Sequence, residues 1–338
     1  MNSTESSSIA TDILKYASKY SITIGFITIV AGIIGNFINL LVFMSLKIFR
    51  TNRCVFYLII ETISDLVYTF YYLTYILFTI FYPTGVASTS IIWCRLQSVL
   101  VQSCALITYL SIVSMAIDQF ISTNHRLSIR QICTTHLAHH LTFSIIIVSI
   151  IHSIIFCFYL SIVPKIGCII SNIIMLKYAT FVFYPILVAI LPITIASLFS
   201  ALAYRNVRHI IRLQLPTQRR QFDRQITAMI LLRVICFVFF LLPYIIYRIY
   251  AINANIPLED SLEYAAIQLV HILVISLVNL NYTVIRLFLF LLDYDHGRIL
   301  FQINFYLFFI SSKQYRCQVK DALRKQIWQR WRHNTIQP

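Results

Sequence analysis

WCRLQSVLVQSCALITYLSIVSMAIDQFISTNHR, residues 93–126, contains no charged side chain between Leu96 and Ile117. A helix over Cys94–Gln119 rises ~1.5 Å per residue and so reaches ~39 Å. That length covers the ~30 Å hydrocarbon core of a bilayer and enters the headgroups on both sides. Small residues recur along it (Ser103, Ala105, Ser111, Ser114, Ala116), as in a helix whose backbone is approached closely by its neighbours. The stretch therefore reads as the central helix of a membrane-embedded bundle.

The whole chain supports this reading. Of 338 residues, 59% are hydrophobic and only 12% charged, with a mean hydropathy of +0.79, which does not suit a single water-soluble domain. The apolar runs are long and continuous, unlike the alternating strands of a membrane barrel. With 6 Gly and 8 Pro, the chain is also poor in turn residues, so a helical bundle is the remaining class. The net charge of +15 invites a nucleic-acid partner, but its placement argues against one. Of 27 Lys and Arg, 18 fall at 47–53, 126–130, 205–224 and 313–332, all on one side of a seven-span topology, against about six on the other. This asymmetry predicts an outside N-terminus and a cytoplasmic C-terminus.

Expected spans lie at about 22–46, 55–81, 93–121, 141–163, 178–204 and 225–250, with a seventh from 264. Residues 1–21 read as a polar outside tail with a glycosylation sequon at Asn2. No cleavable signal peptide is expected, because the first span can serve as its own insertion signal. The eight cysteines form no CxxC pair, so neither a zinc site nor a disulfide framework is indicated. Residues 312–338 read as an amphipathic helix on the inner leaflet and a tail, with Trp328 and Trp331 as interfacial anchors. Cys317 there is a candidate for palmitoylation.

In order and spacing the chain resembles the rhodopsin-like G-protein-coupled receptors over about 22–327. The residues carrying the likeness are Gly35-Asn36, Asp65 in SDL, Cys94, Asp118-Gln119-Phe120 in place of the family's Asp-Arg-Tyr, Cys168, Pro192 and Pro243. The resemblance implies a Cys94–Cys168 disulfide stapling the third helix to the second outside loop. It also implies a polar cavity able to hold sodium, formed here by Asn36, Asp65, Thr108, Asn281 and Asn304, all oxygen donors suited to a hard cation. The alternative is an Asp65 that is protonated or simply hydrogen-bonded. No other cofactor is expected. Glu61 shares a helix face with Asp65 and reads as hydrated at the cytoplasmic mouth, and the remaining cysteines read as small apolar residues.

Departures from the family pattern bear on function. Gln119 replaces an arginine that pairs, at rest, with an acid on helix six, matched here by Asp223; a Gln119–Asp223 contact would be one charge-assisted hydrogen bond. Leu241 stands in the place of the toggle tryptophan, with aromatic bulk moved to Phe237, Phe239 and Phe240. Val101 stands where amine receptors carry an aspartate, which argues against a biogenic-amine ligand. The pocket walls expected from the resemblance are Gln97, Val101, Gln102, Tyr109, Leu241, Gln268 and His271. An acidic rim at Glu259, Asp260 and Glu263 suggests steering of a cationic peptide, or is simply a solvated loop.

The seventh region, Tyr264–Ser311, is more than twice the length of a span. Removing 284–302 joins LNYT to INFYLFFISS and restores a four-residue spacing between Asn281 and Asn304. Valine codons begin with GT and one glutamine codon ends with AG, so Val284–Gln302 has the ends of a retained intron; a genuine insertion is the other reading. The expected function is a plasma-membrane receptor passing an extracellular ligand's signal, a peptide rather than an amine, to a heterotrimeric G protein through Asp118, Gln119, Asp223 and the basic loop 205–224, which also suits anionic lipid. A non-signalling decoy receptor is the alternative, followed by a transporter. No catalytic pairing is apparent, so an enzyme is not expected.

Overall fold

The computed structural model describes residues 3–45, 53–81, 90–124, 126–132, 134–163, 167–210, 217–253 and 262–283. The chain is an all-α bundle whose described residues include seven helices long and apolar enough to cross a membrane. These are α1 (Ser3–Ser45), α2 (Arg53–Phe81), α3 (Ile91–Ser122), α4 (Thr135–Cys157), α5 (the span Ile173–Val207), α6 (Thr217–Asn253) and α7 (Leu262–Thr283). Asn2, Glu259, Asp260, the 284–302 segment, Asn304, Cys317 and the 312–338 tail lie outside the described residues.

The third helix is central, as its small residues predict. It packs against α2, α4, α5 and α6, while α1 joins α2 to α7 and closes the ring. Ser103, Ser111, Ala116 and Met115 are buried on α3 beside Ile112 and Tyr109. Outward faces stay apolar: on α4, Phe143, Ile147, Ile151 and Ile155 recur every four residues and are exposed. Such a belt is costly in water and suited to lipid tails.

Several boundaries differ from the sequence reading, α4 starting at Thr135 and α6 at Thr217 among them, and three have a local reason. The polar tail 1–21 is helical from Ser3, continuous with α1. Its hydroxyls do not oppose the helix: Thr11 Oγ1 donates back to the Ser7 and Ser8 carbonyls at 3.1 and 2.7 Å. Ala10 and Ala17, seven residues apart, are buried. The fourth span ends at Cys157 rather than 163, because Leu160–Val163 pairs antiparallel, as β1, with Gly167–Ile170, β2. An apolar run such as LSIV has no periodicity that separates strand from helix, and Pro164 stops it in either case. The fifth span starts at Ile173 under an Asn172 cap, whose Oδ1 accepts from the Ile174 and Met175 amides at 2.8 and 3.2 Å.

Within α5 the turn widens to a π-helix over Ala179–Ile190, around Pro185. A proline there cannot donate and its ring crowds the carbonyl one turn back; the wider turn relieves that crowding. The Leu191 amide then reaches the Ile186 carbonyl, five residues back.

Cys94 and Cys168 are bonded as the resemblance implies, with Cα atoms 5.9 Å apart. The link ties the first turn of α3 to β2. The hairpin is held further by the Ser171 amide on the Tyr159 carbonyl at 3.1 Å, and Cys94, Cys157 and Leu160 are buried together beneath it. Closing a loop of this length is worth about 2–5 kcal/mol. Cys94→Ser/Cys168→Ser should therefore lower the melting midpoint of the purified protein in non-reducing buffer. A reductant should lower the wild type to the same value, and an unchanged midpoint in both cases would contradict the role given to this link.

Candidate functional site

Three sites lie along α3, from its disulfide end to its opposite end. The first is a cavity of about 570 Å³ between α3, α4, α5 and α6, roofed by Cys168, Ile169 and Ile170 of the hairpin. Its volume is in the ordinary range for ligand pockets. Gln97, Val101, Gln102 and Tyr109 line it, as expected. Leu241 is instead buried in the core. His271 stacks on Tyr247 with ring centroids 5.1 Å apart, and neither it nor Gln268 is among the lining residues. The inward member of the displaced aromatic set is Phe237, packed on Tyr109 at 5.1 Å, while Phe239 faces outward.

Two cavity features were not legible beforehand. Gln102 Nε2 lies 3.0 Å from His152 Nδ1, and His152 Nε2 lies 2.8 Å from the Tyr178 hydroxyl, so one imidazole bridges α3, α4 and α5. Arg248 is the other. It lines the cavity, and its Nη2 and Nε donate to the Tyr184 hydroxyl at 2.8 and 3.3 Å, with the guanidinium 5.2 Å from that ring's centre.

Below the cavity lies a buried polar core. The Tyr282 hydroxyl donates to that of Tyr109 at 2.8 Å, and Tyr282 packs on Tyr68 at 4.4 Å. Tyr68 in turn donates to Asn279 Oδ1 at 2.7 Å. Thr108 Oγ1 donates to Asp65 Oδ1 at 3.1 Å, and Asn36 Nδ2 to the Tyr282 carbonyl at 3.3 Å. Thus Asn36, Asp65, Thr108 and Asn281 are all buried in one region, as the resemblance implies.

A cation of the chain itself lies among them. Arg233 of α6 reaches into this core, 1% exposed. Its Nε donates to Glu61 Oε1 at 2.7 Å, Nη2 lies 2.6 Å from the same oxygen, and Nη1 donates to Asn281 Oδ1 at 2.7 Å. The guanidinium is also close enough to Asp65 to act on it electrostatically. Asn281 Oδ1 is therefore committed to a donor, and Arg233 places one fixed positive charge beside two carboxylates, Glu61 and Asp65. Glu61, read as hydrated, is instead wholly buried and ion-paired. The sequence reading gave Arg233 no partner, because the two residues are 172 apart in the chain.

The third site closes the opposite end. Gln119 Nε2 donates to Thr227 Oγ1 of α6 at 2.7 Å. Cys54 of α2 donates from Sγ to Asp118 Oδ2 at 3.0 Å and to Gln119 Oε1 at 3.3 Å. Cys54 packs in the hydrophobic core, as expected, and its thiol is also a donor in a polar latch. The Asp223 side chain lies outside the described residues, so the expected Gln119–Asp223 contact does too.

Breaking a buried ion pair from one side leaves an uncompensated charge and costs about 3–5 kcal/mol, whereas replacing both partners with apolar groups is often neutral. Glu61→Gln should lower stability by that amount, read as the melting midpoint of purified protein. Glu61→Leu/Arg233→Met should recover most of the loss; a double variant no better than the single would contradict the pairing. No protein-family model and no curated protein sequence matches the chain, so its own residues and their arrangement carry the reading of its function.

Proposed function

We propose that this protein is a plasma-membrane receptor that passes the binding of an extracellular ligand to a heterotrimeric G protein. The observation that carries the reading is the placement of two sites on one central helix. One half of α3 walls the cavity, through Cys94, Gln97, Val101 and Tyr109, and the far end holds Asp118 and Gln119 in a latch to α2 and α6. The cavity lies at the disulfide end, consistent with an oxidising exterior. The latch end carries the basic segments 126–130 and 205–224, consistent with the cytoplasm.

The ligand is not a biogenic amine, and a peptide is the first candidate. Val101 offers no countercharge for an ammonium group, and Arg248 repels one. A ligand shifts such a bundle only by binding its two packings unequally. The chain of contacts from Tyr109 through Tyr282 to the polar core gives α3, α6 and α7 a shared set of partners. Ligand-driven repacking at the cavity would alter that set. Parting of Gln119 from Thr227 would then free the latch end of α6 for the G protein.

In most relatives of the resembling family an ion pair restrains this end; here the Gln119–Thr227 contact is between neutral groups. A neutral hydrogen bond is worth about 0.5–1.5 kcal/mol net, a factor of roughly 2–13 in a two-state equilibrium. Thr227→Val should accordingly raise ligand-independent G-protein dissociation in transfected cells by roughly that factor. Dissociation at the empty-vector level in the wild type, in Thr227→Val and in Gln119→Arg would refute the receptor reading. A response confined to Gln119→Arg would favour the decoy.

A further inference from the structure

We propose that Arg248 is the anchor for an anionic group, and that the cavity takes ligands consisting of an apolar body and one carboxylate. This rests on the receptor reading for its biological meaning, but the binding itself needs no G protein.

Among the described residues, Arg248 is the one charged residue lining the cavity. Around it stand Tyr184, Tyr244, Ile252 and Ala251, with Phe183 and Val188 further along the wall. Among the described residues the one ion pair is Glu61–Arg233, deeper in the bundle, so no described carboxylate faces Arg248. What meets it is a phenol. Tyr184 accepts from Nη2 and Nε through a single neutral oxygen and lays its ring against the cation. A guanidinium has five N–H donors, and that oxygen engages two of them. The remaining donors are left for another acceptor.

A half-buried cation whose described partners are neutral gains from an anion that joins it. The guanidinium fork matches the two oxygens of a carboxylate. Tyr184 fixes the side chain beforehand, so little freedom is lost when the anion arrives. The rest of the wall supplies the counterpart: Val101, Leu106, Ile170, Leu176 and Phe183 are apolar, while Gln97 and Gln102 offer neutral hydrogen bonds. A hydrophobic acid fits this distribution; a cation does not. The acidic rim read from Glu259, Asp260 and Glu263 pointed to a cationic peptide, but Arg248 inside the cavity reverses that preference. A peptide's free C-terminal carboxylate and a medium-chain fatty acid present the same chemistry, and the test separates them.

The full chain is placed in nanodiscs of neutral lipid, and saturable binding is measured against empty discs. The probes are decanoate, decanamide, decylamine, and N-acetyl-Ala-Leu-Phe-Leu with a free or amidated C-terminus. At least one acid should bind tenfold or more tightly than its own amide, and the pair that shows the preference identifies the source. Arg248→Gln should abolish the preference, and Arg248→Lys, which keeps the charge but not the fork, should retain part of it. Equal binding of acids and amides, no saturable binding of either acid, tighter binding of decylamine, or a preference that survives Arg248→Gln would each overturn the proposal. Should Arg248→Gln fail to fold, the acid-to-amide ratio in the wild type and in Arg248→Lys decides. Acid-selective binding together with no G-protein dissociation in cells would sink the receptor reading and leave this site standing.

Discussion

Glu61 and Arg233 set the terms for the rest of this bundle. Each carries a charge that lipid and packed side chains cannot solvate, and each is almost wholly enclosed. The enclosure is tolerable only because α2 and α6 hold the two groups together and α7 offers Asn281 as a further acceptor. Three helices distant in sequence are thereby fixed at one level of the bundle. Any rearrangement of α6 must carry Arg233 with it, and no rearrangement can leave that guanidinium without an acceptor. This restricts α6 to a few discrete positions rather than a continuum of them.

The cavity and the latch sit on either side of this constraint and differ from it in kind. Around Arg248 the described partner is a phenol, and on the proposal above an anion completes the site. At Gln119 and Thr227 the contact is between neutral groups and is worth about 0.5–1.5 kcal/mol. On the proposed receptor reading, a small change at the cavity reaches the latch through this fixed link in the middle. The buried tyrosines between them, Tyr109, Tyr282 and Tyr68, supply rigid contacts whose hydroxyls are already engaged.

Much of the fold was legible because hydrophobic length is a strong signal. The run from Leu96 to Ile117 admits few structures other than a membrane helix, and its small residues mark it as central. The Cys94–Cys168 bond followed from the resemblance, and so did the gathering of Asn36, Asp65 and Thr108. What could not be read was partnership across the bundle. Glu61 and Arg233 are 172 residues apart, and Gln119 and Thr227 are 108 apart; no local pattern joins them. Arg248 lies at the edge of the expected sixth span, and no local pattern tells that its side chain turns into the cavity. Cys54 shows the opposite difficulty: a thiol says little until its nearest acceptor is known.

Motion of α6 relative to the rest of the bundle is the event on which the account of signalling depends. Pulsed dipolar spectroscopy between spin labels at Ile132 and Ala228, both exposed near the latch end, measures it directly in nanodiscs. Saturating nucleotide-free heterotrimeric G protein should add a longer-distance population, and Thr227→Val should populate it in part without the G protein. A single distance distribution, identical in all three samples, would contradict the movement and with it the receptor function.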